Sequence, residues 1–271
     1  MFSSARPSAS TGDTKRDFFL VKTLGRFVEW VGVCPELESG LGVPRESMRL
    51  VQMHREIRLV TGKTANDHTD TVGRYTVRRL EEIAEQGLCR FVLKKDSPTC
   101  GLERVRVYNA SGVPTRDGRG LFAAALVERF PTLPVEEEGR LVDPRLRENV
   151  IECIFAYRDL MRLFIGRWAM GDLVRFHTAR KLTLLAHVTA AYQRLGQLVA
   201  GGKSLLRAEL QTRYSTEFMK ALRTVATPRQ HGNVLRHMLG YFKHTLEQGD
   251  RAELLTLIQT YAAAKCRSSF R

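Results

Sequence analysis

The spacing of apolar residues changes character once along this chain, and that change restricts what it can fold into. Up to about residue 130, short apolar runs alternate with helical spacing. Residues 27–33, carrying Phe27, Val28, Trp30, Val31 and Val33, read as a strand. Residues 71–86 place Val72, Tyr75, Leu80 and Ile83 on one helical face, and 88–93 form a second, buried strand. Residues 105–108 supply a third strand, and 120–127 a helix ending near Pro131. Strands separated by helices predict an α/β domain, with a Rossmann-like, mainly parallel sheet and helices on both faces. Pro131, Pro134, the acidic run Glu136-Glu137-Glu138 and Pro144 then break the pattern. Beyond them only the 3.6-residue period survives, with helices expected at roughly 145–165, 173–199, 203–225, 229–247 and 250–264. The expected organisation is an α/β domain over 1–143 followed by an all-α domain over 144–271, and 271 residues suffice for two modest cores.

Charge divides at the same place. Residues 1–144 hold 22 Lys and Arg against 20 Asp and Glu, a net +2; residues 145–271 hold 21 against 9, a net +12. A one-sided basic domain attracts polyanions, and counterion release makes nucleic acid the usual partner. A basic surface that only confers solubility is the alternative. No run of eighteen uncharged apolar residues exists, and the first residues lack the apolar core of a signal peptide, so no membrane partner and a cytoplasmic location are expected. The oligomeric state is left open. Five cysteines (34, 89, 100, 153 and 266) are an odd number without compact disulfide spacing, which favours metal or catalytic use in a reducing compartment.

Two of them stand at strand-to-loop exits. Cys34 closes the run Val31-Gly32-Val33, and Cys100 follows the run 88–93 by a short loop. Ligands of open parallel sheets bind beyond the carboxyl ends of the strands, so two thiols meeting there point to a soft metal or an iron–sulfur cluster. A cluster wants at least three thiolates, and no third cysteine occupies a comparable position. The alternative is that both are small buried hydrophobes. Pro35, fixing the exit from the strand, and Gly101, permitting close approach of backbone to a bulky group, favour the ligand reading. Cys89 at a strand start, Cys153 in a helix and Cys266 in a polar tail read as packing or incidental, with Cys89 a substitute ligand that has no motif behind it. Gly40-Leu41-Gly42 is too short for a nucleotide fingerprint and reads as a turn.

In the basic half, His177, Arg180, Lys181 and His187 fall near one face of a single long helix, and His231, Arg236, His237, Lys243 and His244 form a second strip beside Tyr241 and Phe242. Cations interleaved with aromatics suit RNA, through phosphate contacts and base stacking. Core aromatics and hydrogen-bonded structural histidines are the simpler alternative. His177 and His187 lack the i, i+4 spacing that brings two imidazoles onto one metal.

The segments Cys34-Pro35-Glu36-Leu37-Glu38-Ser39-Gly40-Leu41-Gly42-Val43-Pro44-Arg45-Glu46 and Ser97-Pro98-Thr99-Cys100-Gly101 resemble the thiouracil desulfurase family. The segments 176–182 and 231–243 resemble the helical domain commonly fused to it. The resemblance spans about 15–261 and extends to bacterial desulfidases that act on thiolated uridine in transfer RNA. It implies a [4Fe-4S] cluster held by three cysteines, with Cys34 and Cys100 matching two of them. The third belongs to a segment after an N-terminal strand, a region that here reads from Ser3 to Thr11 without cysteine. The first strand and first cysteine motif are therefore expected to be missing, and the C-terminus to be truncated.

By the same resemblance Glu36 is the acidic residue that activates water, and Ser97 contacts the pyrimidine or relays a proton. From the residues alone, Glu36 reads first as a helix-start carboxylate satisfying exposed amides, and Ser97 is equally a turn or cap residue. Arg45 and Arg49 face either phosphate and uracil oxygens or solvent. The expected function is an iron–sulfur-dependent desulfurase of thiolated uridine in tRNA, impaired by loss of one cluster ligand. His177, Arg180, Lys181, Arg236 and Lys243 are its expected RNA contacts. The alternatives are a desulfurase of free 2-thiouracil and a non-catalytic RNA-binding protein.

Overall fold

The computed structural model describes residues 2–5 and 19–263 and divides into two compact units, Met1–Val150 and Ile151–Arg271. Cys266 and residues 6–18 lie outside the described residues. In chain order the first unit holds β1 (Phe2–Ala5), β2 (Trp30–Val33), β3 (Met48–Met53), β4 (Glu56–Thr61), α1 (Thr69–Glu85), β5 (Arg90–Leu93), β6 (Val105–Tyr108), β7 (Pro114–Gly118), α2 (Leu121–Arg129) and β8 (Val135–Glu137). Its strands make two sheets of four, ordered β2-β1-β5-β8 and β4-β3-β6-β7.

Every pairing in the first sheet is parallel, so the carboxyl ends of its strands share one edge. β5 lies between β1 and β8 and is buried along its whole length. That explains why Phe91-Val92-Leu93 is a continuous apolar run instead of an alternating one. The Phe91 ring meets Phe122 of α2 with centroids 5.7 Å apart. The α/β expectation therefore holds, with differences of detail. The strand read over 27–33 begins only at Trp30. The expected absence of a first strand is not met: Phe2–Ala5 pairs with Trp30–Val33 on one side and Arg90–Val92 on the other. Four residues with one large apolar side chain give no periodic signal, and backbone pairing to two flanking strands is what places them in the sheet.

The second sheet was not expected. β6 belongs to it and not to the parallel sheet, pairing parallel with β3 and antiparallel with β7. Leu50, Leu59, Val105 and Val107 of this sheet and Val72 of α1 form a buried cluster. α1 turns Val72, Tyr75, Leu80 and Ile83 inward, as its spacing predicts.

The helices from the division onward are α3 (Pro144–Leu163), α4 (Met170–Ala179), α5 (Lys181–His187), α6 (Thr189–Ala200), α7 (Arg207–Leu222), α8 (Pro228–Tyr241) and α9 (Gln248–Ala262). The compact units divide after Val150, inside α3, and not at its first residue. The long helix expected over 173–199 is three helices. Arg180 leaves helical geometry (φ −95°, ψ 7°), and Val188 is extended (φ −143°, ψ 97°). The second unit encloses Leu173, Leu184, Leu195, Leu210, Tyr214, Phe218 and Leu222. α8 starts at Thr227-Pro228, where the Thr227 hydroxyl accepts from Gln230 N–H and the Gln230 side chain accepts from Thr227 N–H. Among the described residues no helix is long and apolar enough to cross a membrane.

Leu59 is fully buried in the second sheet's cluster. Leu59→Ala is expected to lower the unfolding free energy by about 2–5 kcal/mol, read from the urea midpoint at unchanged slope.

Candidate active site at the carboxyl edge of the parallel sheet

β2 delivers Cys34 and β5 leads through residues 94–99 to Cys100, so both thiols arise from the carboxyl edge of one parallel sheet, with β1 between their strands. Both are buried. After Cys34 the chain turns helically, Pro35 occupying the first helical position, where its missing N–H costs nothing. Glu38 then closes the turn: its N–H donates to the Cys34 carbonyl at 2.9 Å and its carboxylate accepts the Cys34 N–H at 2.8 Å. Tyr75 of α1 donates to the other Glu38 oxygen at 2.7 Å. Burial and the Glu38 carboxylate together push the Tyr75 hydroxyl well above the usual phenol range.

Cys100 is held from the other side. Its N–H and that of Thr99 donate to Ser97 Oγ at 3.1 and 3.3 Å. The first turn of α2 binds the same loop through its otherwise orphaned amides, Phe122 N–H and Ala123 N–H donating to the Thr99 carbonyl at 3.0 and 3.2 Å. Gly120, just before α2, lies so close that a Cβ there would stand 2.4 Å from the Thr99 carbonyl. Gly101 is tight for a reason other than the one expected. A Cβ there would meet the Val105 side chain at 2.3 Å and the Ser97 carbonyl at 2.8 Å, so the glycine accommodates the protein's own packing. Glu137, read from sequence as part of an acidic boundary, is buried in β8 and accepts Leu102 N–H at 2.8 Å.

The two halves meet at Glu36 and Thr99. Thr99 Oγ1 donates to Glu36 Oε1 at 2.8 Å, and Glu36 Oε2 forms an ion pair with Arg45, both side chains nearly buried. Arg45 also donates to the Gly42 carbonyl at 3.0 Å, so it is neither solvated nor free for a ligand's phosphate. Glu36 does not cap exposed helix amides; Glu38 has that task. Ser97 Oγ stands 3.0 Å from Thr99 Oγ1, and Cys100 Sγ stands 3.6 Å from the same oxygen. Glu36, Ser97, Cys34 and Cys100 are thus gathered as the sequence suggests, through Thr99 and Glu38, which it did not single out. Arg49 lies apart, its guanidinium 5.2 Å from the Tyr108 ring centroid on the second sheet.

Burial pushes the Cys100 thiol up to about 12; Glu36 and Cys34 add to the shift, against the Thr99 and Ser97 hydrogen bonds. A thiol in this condition keeps its proton at neutral pH and gives it up only to a cation that replaces it. Among the described residues two thiols, Cys34 and Cys100, reach this edge of the sheet. β1, between the two strands, ends at Ala5 opposite Val33 and leads into Arg6-Pro7-Ser8, which carries no thiol. Cys89 precedes β5 and so belongs to the opposite edge of the sheet, which excludes it as a substitute. Among the described residues no group of three His, Cys, Asp or Glu side chains is placed to hold a metal.

The second unit rearranges the expected basic strips. His177 is buried, 3.2 Å from Tyr214 Oη and stacked on Tyr192 at 5.0 Å, and burial lowers its pKa. Arg180 pairs with Asp159 and lies over Phe176. His187 is enclosed between Glu152 (2.9 Å) and the Thr224 carbonyl (2.5 Å). Burial opposes its charge, but those two acceptors outweigh burial and raise its pKa. Cys153 donates to the Leu222 carbonyl at 3.4 Å, in keeping with a packing role. The two histidines of the first strip are therefore interior, with Arg180 and Lys181 half-buried. Arg236 and Lys243, with Tyr241 and Phe242, are exposed on α8 and the turn after it.

Residues 10–138 match the family described as 2-thiouracil desulfurase, and residues 181–269 match DUF1722, a family of proteins of unknown function. YbgA of Escherichia coli strain K12, itself uncharacterized, is 32% identical over 118 residues, which are 43% of this chain and 70% of YbgA. A solved structure of the [4Fe-4S]-dependent thiouracil desulfidase TudS is 26% identical at a TM-score of 0.43, covering 55% of this chain and 97% of TudS.

Two outcomes follow from this geometry. Gly120→Ala forces α2 away from the Thr99 carbonyl and is expected to cost about 1–3 kcal/mol of stability, measured by thermal denaturation. In chelator-treated protein at pH 8, iodoacetamide should label half-buried Cys89 well before Cys100, whose labelling should accelerate only as pH climbs toward 12; equal rates at pH 8 would contradict the placement of Cys100.

Proposed function

The chain belongs to the family that joins a 2-thiouracil desulfurase domain to a DUF1722 domain, and from that premise we propose that it removes sulfur from a thiolated uracil carried in tRNA. The observation that supports this most is the convergence of Cys34, Glu36, Ser97, Thr99 and Cys100 at one sheet edge, joined by the bond from Thr99 to Glu36. Desulfuration by water needs no oxidant: the thiocarbonyl carbon gains the water oxygen and the sulfur leaves as hydrogen sulfide with both water hydrogens. Glu36 is the group suited to take a proton from that water. Ser97 and Thr99 extend a hydrogen-bonded path from it, and the burial of Cys34, Glu36, Thr99 and Cys100 limits access of other water.

Two thiols are one fewer than the resemblance requires for a [4Fe-4S] cluster. The part assigned to this chain's own residues is accordingly binding, orientation and proton handling. The tRNA is assigned to the second unit, whose net charge supplies the attraction and whose exposed Arg236, Lys243, Tyr241 and Phe242 supply phosphate and stacking contacts. A free base would make no use of such a surface. A reducing, cytoplasmic setting accords with the buried free thiols.

The test is sulfide release from tRNA containing thiouridine and from 2-thiouracil, after anaerobic incubation of the protein with iron and sulfide. Release is expected with tRNA, reduced by about 10²-fold in Glu36→Gln. No release from either substrate overturns the proposal. The variant combining Arg236→Glu and Lys243→Glu should weaken tRNA binding and reduce the slope of log affinity against log salt by about 2; an unchanged slope removes these residues from the interface.

A further inference from the structure

Resting on that reading of the site, we infer that Thr99 is the positioning residue through which Ser97 acts on Glu36, and that Ser97 has no separate connection to the carboxylate. The directions of the hydrogen bonds carry this. Thr99 is fully buried and its hydroxyl has a single proton. That proton goes to Glu36 Oε1 at 2.8 Å and not to Cys100 Sγ at 3.6 Å, because the carboxylate is the nearer and stronger acceptor and can only accept. The contact between Ser97 Oγ and Thr99 Oγ1 at 3.0 Å must then run from Ser97 to Thr99. Ser97 is left with its oxygen accepting from the Thr99 and Cys100 amides, and its one proton, for which the Cys100 sulfur is the competing acceptor, goes to the Thr99 oxygen 3.0 Å away. The order Ser97 to Thr99 to Glu36 is thereby fixed.

The remaining partners of Glu36 reinforce it. Oε2 is occupied by Arg45, so among the described residues Thr99 is the one that restrains Oε1 and with it the rotation of the carboxylate. The backbone leaves Thr99 little freedom, since its carbonyl is tied to two amides of α2 and pressed by Gly120. The hydroxyl and not the bulk of the side chain is what the site uses. A serine at this position would serve, and an isosteric valine would not.

Two measurements test this, one independent of activity. In urea unfolding, Ser97→Ala and Glu36→Ala should be coupled in the Thr99 protein, with an unfolding constant for the double variant departing about threefold or more from the product of the single effects. In the Thr99→Val background the same pair should become multiplicative. Coupling that persists with valine shows another route between Ser97 and Glu36 and overturns the inference, as does its absence with threonine. In sulfide release, Thr99→Val should lower kcat by about 10-fold to 100-fold with KM within about twofold, and Thr99→Ser should recover most of the loss. A Thr99→Val enzyme with unchanged kcat, or a Thr99→Ser enzyme as poor as the valine form, also overturns it. Should Thr99→Val fail to fold, Thr99→Ala replaces it in both measurements. Should the unsubstituted protein release no sulfide, the proposed function falls, while the unfolding cycle still decides the role of Thr99.

Discussion

One buried hydrogen bond, from Thr99 Oγ1 to Glu36 Oε1 at 2.8 Å, joins segments 63 residues apart in sequence and makes a site out of two loops. Without it, the turn after β2 and the loop after β5 are two independent chain exits from a sheet. A buried carboxylate is costly unless its oxygens are satisfied, and here Thr99 and Arg45 take one each. Satisfying Glu36 thereby ties the loop that carries Cys100 to the turn that carries Cys34.

The surroundings are organised to hold that bond in place. The parallel sheet brings β2 and β5 out at the same edge. α2 spends its first-turn amides on the Thr99 carbonyl, and Glu137 of β8 does the same service for the amide of Leu102 just beyond Cys100. On the other side Glu38 closes the turn that starts at Cys34, and Tyr75 of α1 steadies Glu38. Elements from across the first unit therefore converge on two loops, which is how a rigid scaffold usually supports chemistry carried on irregular backbone.

Much of this was legible before any coordinates. The two strand exits, the helical face of α1, the buried run of β5 and the change of period after Pro144 all follow from residue pattern. The β3–β4 hairpin was missed because its turn carries His54 and Arg55 where Asn-Gly or Asp-Gly would announce it, with His54 taking φ 55°. β8 is hidden in the sequence because three glutamates among prolines mark a boundary, whereas Glu137 faces inward onto backbone amides. The break at Val188 escaped notice because neither glycine nor proline marks it. In the second unit, sequence could place histidines and arginines on helices but not say which had found partners; His177, Arg180 and His187 had.

Sequence by itself settled the residue types at the two strand exits and the excess of positive charge in the helical half. These are properties of composition and local spacing, which no folding can alter. Tertiary structure alone decided which carboxylate points at which hydroxyl, that Gly101 yields to Val105 and Ser97 instead of to a ligand, and that His177 and His187 of the first basic strip are interior. Those outcomes depend on contacts between segments far apart in the chain, where burial makes every unpaired polar group expensive and so selects a single arrangement.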